Sequence, residues 1–95
     1  MDKGAKAARL ADLLRDHLAL WLRRDYPGRL ISVSDIQMSP NGQRATVWLS
    51  AFDSKAIEAM EDVIRHAPKY QHLMHSALDR RFVPELKFVA DSPDA

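Results

Sequence analysis

Three histidines, His66, His72 and His75, crowd one stretch of this chain. Imidazole can ligate a metal or relay a proton, so catalysis would be sought here first. His72 and His75 stand three apart, a spacing that places both on one face of a helix. A zinc site wants three or four ligands in enforced geometry. A third ligand would have to reach across Pro68, and the chain has no cysteine to complete a set. Nucleophilic catalysis finds no glycine-bracketed serine beside a histidine. Gly4, Gly28 and Gly42 are too dispersed to form a phosphate-cradling loop. The expectation is therefore no metal, no cofactor and no enzyme activity, with the histidines solvated beside a basic surface.

The chemistry that remains is recognition of phosphate by local positive charge. Net charge is only +1, less basic than a nucleic-acid binder usually is. The distribution is more informative. Between Asp53 and Asp62 four acids face one base, a local charge of −3; between Arg65 and Lys87 five bases (Arg65, Lys69, Arg80, Arg81, Lys87) face Asp79 and Glu85, a local charge of +3. A chain polarised in this way attracts anions only through one surface. Arg44, at a predicted hairpin, extends the set. Trp48 and Phe52 share a strand face, where they serve either as a stacking platform for bases or as cross-strand packing.

These residues need elements to position them. Leu10, Leu13, Leu14, Leu18, Trp21 and Leu22 recur at spacings of three and four, which predicts an amphipathic helix from Ala5 to Tyr26, stopped by Pro27-Gly28. A strand follows from Leu30 to Met38. Its apolar alternation slips at Ser34-Asp35, the sign of a bulge. Ser39-Pro40-Asn41-Gly42 is a turn, and Arg44 to Phe52 alternates as the second strand of a hairpin. Asp53 or Ser54 caps a second helix with Ile57, Met60, Val63 and Ile64 as its apolar face. It must end or kink by Pro68. A third helix runs from about Tyr70 to Arg80 with Leu73, Met74, Ala77 and Leu78 inward. Phe82 to Ala90 is a last strand, and residues 92–95 are a short polar tail. The order is α-β-β-α-α-β. Packing the helices on one face of a three-stranded sheet is the economical way to bury it, an α+β arrangement.

At 95 residues, 46 % of them apolar and 28 % charged, the chain is globular in composition and has room for a single domain, residues 1–91. No apolar run approaches the ~20 residues that span a bilayer, and the N-terminus lacks the pattern of a secretory signal. A cytoplasmic monomer without membrane contact is expected.

The C-terminal stretch Arg81-Phe82-Val83-Pro84-Glu85-Leu86-Lys87-Phe88-Val89-Ala90-Asp91 resembles the signature of the ribosome-binding factor A family: an arginine, a Pro-Glu-Leu core, a base, Phe and a following Asp. Upstream pieces agree in order. Asp25-Tyr26-Pro27-Gly28-Arg29-Leu30 is similar to the family's link between first helix and first strand. Val33 to Ser39 and Arg44 to Ser50 resemble its first two strands. The resemblance implies a type II KH-like fold with a helix-kink-helix near Pro68. It implies binding to the 16S rRNA of the small ribosomal subunit and a part in late 30S maturation. The family's Ala-x-Gly kink aligns with Ala67-Pro68-Lys69, where lysine replaces the glycine and proline could supply the bend. His72 aligns with a basic position after the kink. The implied RNA-binding set is Arg44, Arg65, Lys69, His72, Arg80, Arg81 and Lys87. The alternative is a KH-like protein-interaction module that has lost RNA binding.

Overall fold

The computed structural model of the chain describes residues 2–78 and 83–91, with side chains from residue 8 onward. Its elements are α1 (Asp2–Asp25), β1 (Ile31–Met38), β2 (Arg44–Ala51), α2 (Ser54–Arg65), α3 (Ala67–Leu78) and β3 (Glu85–Ala90). The sheet order is β1-β2-β3, with β1 antiparallel and β3 parallel to the central β2. The strand pairing slips between Val33 and Asp35, at the expected bulge. Ser34 Oγ lies 3.1 Å from both the Trp48 carbonyl and the Asp91 carboxylate, so the residue expelled from the ladder ties β1 to its neighbour and to the end of β3.

The pleat decides the layers. Ala45, Val47 and Leu49 of β2 are wholly buried, as nearly are Leu86 and Phe88 of β3 and Ile36 of β1. They face Leu14, Leu18, Trp21 and Leu22 of α1, Met60 and Val63 of α2, and Tyr70 and Met74 of α3 in one core. Alternation then leaves Thr46, Trp48 and Lys87 on the sheet's uncovered face. An aromatic column crosses the core: Trp21 stacks on Tyr70 (centroids 6.4 Å apart), and Tyr70 meets Phe88 edge-on at 6.0 Å.

Local chemistry sets the boundaries. The α1 exit closes with Tyr26 N–H donating to Leu22 O at 2.8 Å, and Gly28 supplies a φ of 76° that an L-residue rarely adopts. Asp53 caps α2, its carboxylate accepting from Ala56 N–H at 2.8 Å. The inward face of α2 is Ala56, Ala59, Met60 and Val63; Ile57, expected there, is 45 % exposed. Small alanines let the helix lie close to the sheet and turn the Ile57 side outward. The third helix begins at Ala67, earlier than Tyr70, because proline is at no disadvantage in a first turn, where its missing N–H would have no partner. Tyr70 and Met74 are its buried residues, whereas Ala77 is exposed. The described part of the last strand starts at Glu85; Phe82 lies outside the described residues, as do residues 92–95.

Gln71 joins α3 to the edge of the sheet. Its Oε1 accepts from the Leu86 N–H at 2.6 Å, and its Nε2 donates to the Pro84 carbonyl at 3.0 Å. The amide thus substitutes for a neighbouring strand where β3 begins. Gln71→Ala is expected to cost about 1–3 kcal/mol, the penalty for stranding buried backbone groups. Urea unfolding should show a lower midpoint at unchanged slope, and Gln71→Glu, which keeps the acceptor but not the donor, should fall between.

Candidate nucleic-acid interface

The cations of the expected interface occupy two faces of the molecule. Arg44 opens β2 and Lys87 lies in β3, opposite Glu85 and Thr46 respectively, and both are exposed on the side of the sheet away from the helices. Arg65, Lys69 and His72 are on the helical layer, around the junction of α2 and α3. Arg80 and Arg81 lie outside the described residues. The single patch anticipated from the run of charge is therefore divided by the sheet, since a +3 segment that includes a strand must send its charges to opposite sides.

The junction is one residue wide. His66 leaves helical geometry (φ −105°, ψ 27°) between Arg65 and Ala67. Its N–H still reaches the carbonyls of Asp62 (3.0 Å) and Val63 (3.1 Å), while its Nδ1 lies 2.8 Å from Asp62 O. Lys69 N–H bonds to His66 O at 3.0 Å, starting α3. The break thus falls two residues before Pro68, which is exposed in the first turn; Ala67 is half-buried against the core. In an unbroken helix the Pro68 ring would strike the Ile64 carbonyl.

Acidic residues from α1 and α2 hold this junction in place. Asp25, the last residue of α1, accepts from Arg24 Nε at 2.9 Å, from Tyr70 Oη at 2.8 Å and from Lys69 Nζ at 3.1 Å. The adjacent Tyr26 donates to Asp62 at 2.6 Å, and Asp62 also pairs with Arg65 at 3.2 Å. Arg24 first, then Tyr70 and Lys69, hold the Asp25 carboxyl well below the usual carboxylate range. Burial and then Asp62 push the Tyr26 phenol up to about 12; burial and then Asp25 raise Tyr70 further. Tyr26 likewise lowers the Asp62 carboxyl.

These pairings qualify the expected site. Lys69 and Arg65 are each matched to a carboxylate, yet their side chains stay 50 % and 67 % exposed, so a phosphate could still reach them. His72, one turn beyond Lys69, is exposed on the same side. Among the described residues no cluster of three or more histidine, cysteine or acidic side chains is arranged to hold a metal. His75 Nε2 instead lies 3.1 Å from the Gln71 amide nitrogen and accepts from it in the neutral tautomer. Trp48 is half-buried with its Nε1 3.4 Å from Gln37, while Phe52 follows the end of β2 and is 71 % exposed. Sequence reasoning did not find Asp25, Tyr26, Asp62 or Tyr70. The stripe of α3 gives one clue, since Tyr70 stands four residues before Met74. The acid–phenol pairs carry none, because their partners are 36 and 45 positions apart.

An α-β-β-α-α-β chain with a mixed three-stranded sheet, helices on one face and a one-residue break between its last two helices is a type II KH-like domain. The family model for ribosome-binding factor A matches residues 6–94. Ribosome-binding factor A of Coxiella burnetii is 32 % identical over 87 residues, covering 87 % of this chain and 73 % of the relative. The crystal structure of ribosome-binding factor A from Thermus thermophilus superimposes with a TM-score of 0.70 at 22 % identity, covering 87 % of this chain and 93 % of that one. A homology model of the Thermus thermophilus factor, fitted into a cryo-EM map of a complex with the 30S subunit, gives 0.62 at 22 % identity, over 85 % and 90 % of the two chains. The chain belongs to the ribosome-binding factor A family.

The acid–phenol corner predicts an unusual alkaline titration. Tyr26 and Tyr70 are the chain's two tyrosines, and both are raised in the fold above the ordinary value of about 10. Their contribution to stability is therefore complete below that value and is lost as pH climbs through the folded ones. Tyrosinate absorbance should stay flat through about pH 10 and then rise together with loss of circular dichroism. Titration of either tyrosine at its ordinary value in the folded protein would contradict the geometry. Asp25 has the opposite sign: its contribution is present above about pH 4 and fades as the medium becomes more acid.

Proposed function

We propose that the protein is a non-catalytic ribosome-assembly factor that binds small-subunit rRNA and assists late maturation of the 30S subunit. The observation that carries this reading is the family match across nearly the whole chain. The Thermus thermophilus factor fitted into a map of a 30S complex supports the choice of partner. On this reading the α2–α3 junction faces the RNA. Arg65, Lys69 and His72 meet phosphates there, and Arg80 and Arg81 extend the contact. Arg44 and Lys87 would serve a second contact on the sheet side. Pro68 disfavours one continuous helix from Ser54 onward and so keeps Lys69 and His72 presented at the bend.

A protein-interaction module without RNA binding is the second reading. The ion pairs of Lys69 with Asp25 and Arg65 with Asp62, together with a net charge of +1, favour it. Salt dependence separates the two, because each phosphate contact releases counterions and steepens the fall of affinity with salt. Binding to a 16S rRNA fragment should weaken steeply as salt rises. Arg80→Glu with Arg81→Glu should lower affinity and flatten the slope by about two contacts; an unchanged slope in a folded double variant would favour the protein-interaction module. Pro68→Ala should reduce rRNA affinity more than stability. If Pro68→Ala keeps both bend and affinity, tertiary packing alone sets the geometry. In cell extracts fractionated on sucrose gradients the protein should travel with free small subunits; migration only as free protein would overturn the assignment.

A further inference from the structure

Besides Arg44 and Lys87 on the sheet face, positive charge that no carboxylate engages also gathers away from the α2–α3 junction, between α1 and β1. Arg15 and Arg23 of α1 and Arg29 of the following loop border a groove of about 420 Å³ between α1 and β1. Among the described residues none of these three guanidiniums is engaged in an ion pair or side-chain hydrogen bond, in contrast to Arg24, Arg65 and Lys69. The floor is aliphatic, with Ala19 and Leu22 on one wall and Ile31 and Val33 on the other; Leu30 (58 % exposed) and Phe52 stand at the rim.

The groove follows the free edge of β1. Ile31, Ser32 and Val33 all line it, although Ile31 and Val33 point toward the core and Ser32 away from it. Residues of both faces line one groove only along a strand's edge. β1 pairs with β2 alone. Phe52 N–H donates to Leu30 O at 3.1 Å, which makes these two a hydrogen-bonded pair of the antiparallel ladder. By alternation Ser32 is next to bond to β2, and the N–H and C=O of Ile31 and Val33 point outward. The bulge at Ser34 then ends the straight edge.

We infer that this groove binds an extended acidic–apolar segment of a partner protein, which adds to β1 as a short fourth strand. Backbone groups of the segment pair with Ile31 and Val33. Its apolar side chains enter the aliphatic floor, and its carboxylates meet Arg15, Arg23 and Arg29. An exposed edge with pockets for alternate side chains is the requirement of strand addition, and three unpaired guanidiniums select an acidic sequence. Single-stranded RNA fits less well, because the floor is aliphatic and Phe52 at the rim is the one aromatic ring in the lining, too few to stack successive bases. The inference does not depend on RNA binding at the helix junction.

The test uses the whole chain and three peptides of about six residues that alternate aspartate with valine, isoleucine or leucine. At least one should shift the amide resonances of Ile31 and Val33 at about 1 mM or below. Arg23→Glu with Arg29→Glu should weaken it about tenfold or more while leaving the fold intact. The same peptide N-methylated at alternate residues should not bind, and a lysine–valine peptide should not bind. Failure of all three acidic peptides to shift those amides would overturn the inference, as would binding that survives N-methylation. Displacement by a short oligouridylate that depends on Arg23 and Arg29 would reassign the groove to RNA and overturn it too.

Discussion

The carboxylate of Asp25 holds the site together. It terminates α1, and from there it binds the hydroxyl of a fully buried tyrosine and the ammonium of the lysine beside it, both in the first turn of α3. Its neighbour Tyr26 takes hold of α2 through Asp62. Two adjacent residues thus fix the angle between three helices. Tyr70 passes that constraint inward, stacking on Trp21 of α1 and meeting Phe88 of β3 edge-on. Removing the Asp25 carboxylate would strand a buried hydroxyl and free the α2–α3 junction from the end of α1. In low dielectric such a network is effective because each of its members is satisfied, and among the described residues no buried side-chain polar atom lacks a partner.

The same corner bears on function. On the proposed function, a junction that presents cations to phosphate must keep them in place without neutralising them. Asp25 and Asp62 orient Lys69 and Arg65 while leaving half or more of each side chain in water. Half-exposed pairs of this kind add little to stability, so a phosphate can compete for the cation. The bend itself has two contributors. His66 departs from helical geometry, and Pro68 opposes a helix running through. Lys69, which the resemblance aligns with the family's glycine, stands inside α3 and not at the break.

Much of the fold was legible in the chain because its signals are local. Leu14, Leu18, Trp21 and Leu22 of the α1 stripe, the slipped alternation at Ser34, the turn at Pro40-Asn41-Gly42 and the Asp53 cap each depend on near neighbours, and each recurs in the structure, whereas Leu13, expected in the same stripe, is 38 % exposed. Errors arose where packing decided. Ile57 turns outward because alanines fill the α2 interface, and α3 starts before Tyr70 because proline suits a first turn. The site was less legible than the fold. Charge counted along the chain placed Arg44 and Lys87 with Arg65 and Lys69, whereas the pleat sends the first two to the opposite face. Pairs such as Tyr26–Asp62 join distant positions and leave no periodic trace. Two of the groove's arginines, Arg15 and Arg23, come from a helix read only for its apolar stripe, and Arg29 comes from the loop after it.

The most direct measurement is chemical footprinting of 16S rRNA in precursor small subunits, with and without the protein. The account predicts a compact set of protected nucleotides that disappears with Arg65→Glu and Lys69→Glu in a folded protein, and that persists when Arg23 and Arg29 of the groove are reversed. Equal reactivity of the rRNA with and without the wild-type protein, in subunits shown to carry it, would contradict the account.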